Sequence, residues 1–557
     1  MPYRACHLLT SLLAVAIASL AMATRTVRAD APATAPAADL AVAFDATGLS
    51  KLTWRGSDLL ASGTVELQDL KLDGGDVLGV DFSKTAETFD PATSTLLQTY
   101  PWGTIRVTYR PDPAAGMLHA TIDVANTGHK AVTRLGAYLL RWRSPSLPKS
   151  EHWDGTGLTM HNREDDFPIV TADWTTARLA LCSDDLSTPV TFGVQPIEHT
   201  DATAIDAVTF RFDDGKPIAP GEMRRASLSV RLAGPERSLN GFVGDVLRAY
   251  AARYPSELDW PDHRPIGSAF LATSEKGYKT NPRGWFLDPN LDVTTADGRA
   301  ALADELSKYT DAVIAHCKKL DAQGVLVWDL EGQEMPHATS YLADPRMLPQ
   351  VAPEMDGLAD GFFKKLADAG LRTGLTIRPT RVVKADGGRP GWMQQDVADP
   401  VAEMDDKISY AVKRWGCSIF YLDSNVSFVR DAAGKILDDP ALPADDFATL
   451  ARHHRSCLLI PEHKVARYWA YTAPYSEFRL GFKGTPEDVR LAYPRAFSVM
   501  QVVDGPPLGD PEPVRTLTAA INHGDVLLFR PWWDDPQTTD IEHLYAAARA
   551  SPPPPGR

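Results

Sequence analysis

The chain has 557 residues, 44% of them hydrophobic and 23% charged, and a formal net charge of −15. Such proportions exclude a disordered chain, a collagen-like chain and a polytopic membrane protein, and the acidic balance argues against nucleic acid as the main partner, because phosphate binding needs a concentrated basic surface. At roughly 150 residues per domain the length allows three or four domains, or two large ones.

At the N-terminus, Arg4 precedes an apolar run from Leu8 to Ala23 that ends in small residues, the pattern of a secretory signal peptide. Ala21-Met22-Ala23 and Val27-Arg28-Ala29 are both small-x-small cleavage sites. The run is shorter than the ~20 residues of a spanning helix. The expectation is a secreted or periplasmic protein that loses residues 1–29, with residues 30–39 as a flexible linker and no stable membrane insertion. Cleavage removes Arg4, Arg25 and Arg28 but no acid, leaving 54 basic against 72 acidic residues and a charge of −18. It also removes Cys6. The remaining Cys182, Cys317, Cys417 and Cys457 are too few and too scattered for a disulfide framework, and no Cys-x-x-Cys pair suggests a zinc ribbon.

From residue 40 to 235, short runs alternate apolar and polar residues between Gly, Asp, Asn and Pro. Thr104–Tyr109, Leu118–Val124, Val208–Phe212 and Ser227–Leu232 are examples. Period-two alternation with frequent turn residues predicts an antiparallel β-sandwich. Asn126-Thr127-Gly128 and Asp213-Asp214-Gly215 read as hairpin turns. Residues 236–263 follow as a linking segment, whose Leu239, Phe242, Val246, Leu247 and Tyr250 share one helical face.

From 264 to 548, short apolar strands alternate with amphipathic helices. Strands are predicted at Ile266–Ala272, Val325–Leu330, Thr373–Ile377, Ser418–Leu422, Leu458–Ile460, Tyr468–Tyr471, Phe497–Val503 and Val526–Phe529. Helices are predicted at 299–323, 356–370, 402–415, 445–455, 486–493 and 512–523. Gly370, Gly416 and Gly524 stand where a helix hands over to a strand, a position that favours the left-handed conformation. The fold class is therefore multidomain, an antiparallel β-sandwich followed by an α/β (β/α)8 TIM barrel. A doubly wound open sheet is the alternative, without a Gly-x-Gly-x-x-Gly to support it. Residues 549–557 read as a disordered tail.

Active sites of such barrels lie at the C-terminal ends of the strands. The second strand ends in Asp329, Glu331 and Glu334, the third in Arg378 and Arg381, the fourth in Asp423 and Asn425, the fifth in Glu462 and His463, the seventh in Asp504 and the eighth in Trp532. Carboxylates walled by Arg and Trp suit glycoside chemistry, in which one carboxyl protonates the leaving oxygen and another attacks the anomeric carbon or activates water. Cys417 precedes Asp423, and Cys457 precedes Glu462, by nearly the same distance. That spacing puts the two acids side by side at the mouth and the two cysteines together at the floor, as packed thiols or a disulfide. Asp329 is the next candidate for nucleophile. Asp329, Glu331, Glu334, Arg378, Arg381, Asn425, His463, Asp504 and Trp532 are the candidate substrate-binding residues. Trp328, Trp392 and Trp533 could also stack on sugar.

The acids on the fourth, fifth and seventh strands resemble those of retaining α-glycosidase barrels of the alpha-amylase type and of the endo-α-N-acetylgalactosaminidase barrel. The preceding sandwich resembles that of α-galactosidases and related families. The resemblance implies Asp423 as nucleophile, Glu462 as acid/base and Asp504 as a hydroxyl binder. The α-galactosidase-like families carry their second acid on the sixth strand, where this chain offers Glu477 beyond Tyr475. The function expected is hydrolysis of an oligosaccharide, polysaccharide or glycoconjugate. The alternative is a barrel that binds glycans without cleaving them. No cofactor is required, although Asp288-Pro289-Asn290-Leu291-Asp292 offers clustered oxygens of the kind that hold Ca2+ and equally the composition of an ordinary turn.

Overall fold

A computed structural model describes residues 39–73, 75–76, 83–143, 159–161, 164–173, 177–199, 204–272, 278–332, 342–384, 391–431, 434–481, 484–502, 511–530 and 536–550. The expected signal segment, the linker up to residue 38, and residues 551–557 of the expected tail lie outside the described residues. So do Glu334, Asp504, Trp532 and Trp533.

Residues 40–233 form two large antiparallel sheets around a common core, with a small three-stranded sheet (Leu40–Asp45, Gly48–Trp54, Ser57–Asp58) packed on it. One runs Ile169–Asp173, Arg178–Ser183, Met223–Ala233, Met117–Asn126, Gly103–Asp112, Thr95–Tyr100, Ala86–Asp90. The other runs Thr159–His161, Thr191–His199, Ala204–Phe212, Val132–Arg143, Glu66–Leu72, Gly75–Asp76. Alternation decides the faces: Leu118, Ala120, Ile122 and Val124 point inward against Val208, Phe210 and Trp142. Both turns expected to close hairpins instead carry the chain from one sheet to the other. Met117–Asn126 and Val132–Arg143, on either side of Asn126-Thr127-Gly128, lie in different sheets. So do the strands flanking Asp213-Asp214-Gly215. Asn126 is buried and spends its amide on the Lys130 and Ile218 carbonyls, each at 2.8 Å, which ties the crossing to a neighbouring loop instead of a hairpin partner.

Helix α1 (Leu239–Arg253) joins the two halves. Ser238 caps it by accepting from the Gly241 amide. Its face of Phe242, Val246, Leu247 and Tyr250 is buried between Phe167 and Cys182 of the sandwich and Trp469, Val489 and Tyr493 of the barrel.

The second half contains eight parallel strands: β1 (Ile266–Ala269), β2 (Gly324–Val327), β3 (Arg372–Ile377), β4 (Ile419–Leu422), β5 (Leu458–Pro461), β6 (Tyr475–Glu477), β7 (Val499–Gln501) and β8 (Val526–Phe529). Their order is β5-β4-β3-β2-β1-β8-β7-β6. Because β1 pairs with both β2 and β8, the sheet curls into a nearly closed barrel, not the open doubly wound alternative. Between β5 and β6 the seam is bridged by the Ala473 amide on the Leu459 carbonyl (3.0 Å). Inward-pointing Ile266, Leu326, Trp328, Ile419, Tyr421, Ile460, Tyr475, Val499 and Leu528 fill the barrel. Alternate residues such as Val325, Leu375, Phe420 and Leu527 face the surrounding helices.

Those helices are α2 (Ala296–Lys319), α3 (Pro353–Asp368), α4 (Pro400–Trp415), α5 (Ala444–His453), α6 (Glu487–Ala492), α7 (Pro511–His523) and α8 (Pro536–Ala550). The last runs two residues into the expected tail. Gly370, Gly416 and Gly524 all have positive φ at the helix-to-strand joins. Among the described residues no helix is long and apolar enough to cross a membrane.

The sixth strand differs from expectation. Tyr468–Tyr471 is not a strand; Ala466–Ala470 is a 3-10 helix, and β6 begins at Tyr475. A parallel neighbour needs a crossover of about a dozen residues, and Tyr468 comes too soon after Pro461 to supply one. Its aromatic run therefore packs outward, with Tyr468 against Phe447 and Trp469 donating to Ser498.

Candidate active site

Ladder register builds the site. The β4–β5 pairing aligns Ile419 with Leu458 through to Leu422 with Pro461. The next rung is Asp423 opposite Glu462. The Asp423 amide donates to the Ile377 carbonyl at 2.9 Å and the Glu462 amide to the Leu422 carbonyl at 3.1 Å. Each acid is thus the residue directly after the last pair of the ladder, and that register brings the two together.

Ser424 stands between them. Its φ of 52° is left-handed, an uncommon state for a residue with a side chain. In that state its amide donates to Glu462 Oε2 (2.7 Å) while its hydroxyl donates to Asp423 Oδ1 (3.0 Å). Arg378 holds the other Asp423 oxygen, with Nε at 2.8 Å and Nη2 at 2.5 Å. Asp423 is buried, whereas Glu462 keeps about a third of its side chain exposed. Burial first, and then the negative charge of Asp423, push the Glu462 carboxyl above its ordinary 4.5, against the Ser424 amide and His463. The pair thus has one carboxylate held by a guanidinium and one carboxyl biased toward its protonated form, the asymmetry an acid and a nucleophile need.

His463 lies next to the pair, its Nε2 3.8 Å from Glu462 Oε2. Asn425 is fully buried and spends its amide on the backbone of His463, accepting from the amide (2.8 Å) and donating to the carbonyl (3.2 Å). It clamps the ends of β4 and β5 and has no face toward a ligand. Arg381 turns away and pairs with Glu403 at 2.7 Å on α4.

Asp329 and Glu331 are both buried. Asp329 takes the amides of Leu271 (2.7 Å) and Ala272 (2.8 Å), fastening the end of β1 to β2. Burial raises its pKa to about 7. Burial likewise raises Glu331 to about 7, with the Asp344 and Asp329 charges adding and Lys407 opposing. Trp328 lies within the barrel core, stacked on Phe270 and donating to Ser268, so it is a plug and not a sugar platform. Trp392 is half-buried on a hairpin after β3.

Several residues at the site carried little sequence signal. Lys407 lies mid-helix in α4, fully buried, and donates to the carbonyls of Thr380 (2.6 Å) and Arg378 (2.9 Å). It therefore anchors the backbone that carries Arg378. Burial pulls its pKa down to about 8. The available hint is a Glu403–Lys407 pair, one turn apart, on a helix face completed by Met404, Ile408, Ala411 and Trp415. Lys464 donates to the Tyr475 carbonyl (3.3 Å) across the β5–β6 seam, and burial pulls it down to about 8 as well. Glu477, by contrast the acid expected on the sixth strand, ends β6, half-buried, with Tyr475 donating to it at 3.2 Å.

At the barrel floor, Cys417 and Cys457 are free thiols. Burial pushes Cys417 up to about 12 and Cys457 up to about 11. Asp288 and Asp292 cap their own turns, accepting from the amides of Asn290 (2.8 Å) and Thr294 (3.0 Å). Among the described residues no group of three or more His, Cys, Asp or Glu is arranged to hold a metal ion.

No known family model matches the sequence, and no curated protein matches it. Among solved structures, the chain is similar to the alpha-N-acetylgalactosaminidase NagBb of Bifidobacterium bifidum, with 11% identity, 92% of each chain covered and a TM-score of 0.52. It also matches the GH36 alpha-galactosidase AgaB of Geobacillus stearothermophilus (12% identity, 89% of this chain and 74% of that one, TM-score 0.41) and the alpha-galactosidase of Lactobacillus brevis (11%, 89% and 72%, TM-score 0.40). The sandwich-and-barrel fold is thus the fold of the first of these proteins.

Proposed function

We propose that this chain is a retaining glycoside hydrolase acting on α-linked sugars of oligosaccharides or glycoconjugates. The observation that carries the reading is the Asp423–Glu462 rung, with Arg378 on the first acid and a raised pKa on the second. The two side chains come within hydrogen-bond reach of each other, which leaves no room for the water that holds the carboxyls of inverting enzymes ~6.5–9.5 Å apart and favours the closer pair of a retaining enzyme.

In this reading Glu462 protonates the glycosidic oxygen as the bond to the anomeric carbon breaks. Asp423 attacks that carbon and forms a glycosyl-enzyme. Glu462, now ionised, takes a proton from water, which attacks the same carbon and frees Asp423. Arg378 and Ser424 hold Asp423 in line throughout. Galactose and N-acetylgalactosamine, the sugars in the names of the similar structures, are the first probes. We extend the proposal to export, carried by the apolar run after Arg4.

A panel of aryl α-glycosides with the wild type, Asp423→Asn and Glu462→Gln tests the activity. Turnover with retention, lost in Asp423→Asn on every glycoside and in Glu462→Gln on the poorly activated ones, supports it; unchanged turnover in both variants sinks it. Cell fractionation and N-terminal sequencing of the mature protein test export.

A further inference from the structure

We propose that Asp165, on a sandwich loop, is a positioning residue that sets the Glu462 carboxyl through two converging arms. The proposal rests on Glu462 being the proton donor.

The first arm runs through α5. Pro443, at its N-terminus, offers no side-chain cap, and the open Ala444 amide is taken by Asp165 Oδ2 at 2.8 Å. The sandwich thus supplies a cap that barrel helices normally draw from their own preceding residue. Two residues earlier, the Leu442 amide donates to the Asn425 carbonyl at 3.0 Å.

The second arm runs through the 3-10 helix Ala466–Ala470, which follows Glu462. Asp165 Oδ1 accepts from Arg467 Nη1 (2.9 Å), and the Asp165 carbonyl accepts from the Arg467 amide (2.8 Å). The neighbouring Asp166 accepts from the Ala466 amide at 3.2 Å. Arg467 is buried, ion-paired also with Asp445, and lies over the Tyr254 ring. Next to it, Tyr468 donates to the Leu442 carbonyl and lies 3.4 Å from Asn425 Nδ2.

Both arms end on Asn425, which brackets the backbone of His463 from both sides. His463 is the residue after Glu462. One carboxylate from another domain therefore orients the segments after β4 and β5 together. Loosening it would let Glu462 drift from its place opposite Asp423. A displacement near 1 Å at a reacting group costs about 100-fold.

The discriminating measurement is leaving-group dependence. A para-nitrophenyl α-glycoside needs little proton donation on departure, whereas the phenyl α-glycoside of the same sugar needs it fully. For Asp165→Ala, kcat/KM on the phenyl glycoside is expected to fall about 10- to 100-fold while the para-nitrophenyl value falls far less, with KM little changed. Asp165→Glu should restore part of the loss. Asp165→Asn keeps the shape and a cap oxygen without the ion pair, and it serves if the alanine variant does not fold. An equal loss on both substrates, or a lower melting temperature with intact kcat/KM on both, overturns the proposal. Glu462→Gln in the same series separates the two readings. If it lacks the leaving-group dependence, the donor role fails and the positioning claim with it. If it shows the dependence and the Asp165 variants do not, only the positioning claim fails.

Discussion

Asp423 and Glu462 occupy one rung of the β4–β5 ladder, joined through Ser424, which gives its hydroxyl to the first and its amide to the second. Two acids on one rung of a parallel ladder cannot ionise independently. Burial first, and then the charge on Asp423, raise Glu462, and the Arg378 guanidinium is ion-paired with Asp423. In the proposed mechanism the roles divide along that asymmetry, with Arg378 on Asp423 and a raised carboxyl on Glu462.

Removing the donor should cost rate in proportion to how much the leaving group needs a proton. Glu462→Gln is expected to lose about 100- to 10,000-fold on poorly activated glycosides and much less kcat/KM on activated ones. Asp423→Asn should lose activity on both. Steady-state kinetics on an aryl series checks this, and a flat leaving-group response in Glu462→Gln would count against the donor assignment.

The pH profile follows from the same pair. The donor must be protonated, and its carboxyl is raised above 4.5. So kcat/KM should fall as pH rises through a limb lying above the ordinary glutamate range. Moving that limb into the ordinary range in the wild type, or keeping it unchanged in Glu462→Gln, would contradict the model.

Stability should show a trend of its own between pH 4 and 7. Asp329 and Glu331 are raised to about 7 from ordinary values of 3.8 and 4.5. Across that window the folded chain holds protons that the unfolded chain has released. Their contribution to stability is therefore full below pH 4 and is lost as pH rises toward and through 7. Asp262, held near 2 by Arg264 and Arg372 against its burial, titrates below the window. Asp329→Asn should flatten the decline in melting temperature between pH 5 and 7; a decline as steep as in the wild type would rule out Asp329 as its source.

Lys407→Met should destabilise the protein by about 3 kcal/mol, because it leaves three buried carbonyls without their charged donor and Asp344 with Arg346 as its remaining cation. It should also lower kcat, since the backbone of Arg378 loses its anchor. Denaturant unfolding and kinetics measure the two effects separately.

At Ser424 the hydroxyl and the backbone strain can be pulled apart. Ser424→Ala removes the bond to Asp423 and keeps a side chain at φ 52°. Ser424→Gly removes both the bond and the strain, and should be about 1 kcal/mol more stable than the alanine variant. Equal melting temperatures would argue against strain at this turn.

Much of this was legible because strand-and-helix patterns are local. Ile419–Leu422 and Leu458–Pro461 are short apolar runs after an amphipathic helix, and Gly416 marks its end. Once the parallel order is assumed, counting from Cys417 and Cys457 puts Asp423 beside Glu462. Tyr468-Trp469-Ala470-Tyr471 has the composition of a strand and yet is none, because the length of a crossover is a constraint on chain reach and not on composition. Asn126 and Asp213 look like hairpin residues for a similar reason: a turn's residues specify its bend, not which sheet the next strand joins.

By itself the sequence determined the two-domain order, the barrel and the two acids at adjacent strand ends, because hydrophobic period and turn chemistry act over a few residues. Only the tertiary structure decided which charges meet. It gave Arg378 to Asp423 and Arg381 to Glu403, made Asn425 and Asp329 braces, and brought Asp165 across from the sandwich to Arg467. Those pairings join residues up to several hundred positions apart. They form only where packing excludes water and makes each buried charge find a partner, and no local pattern records that choice.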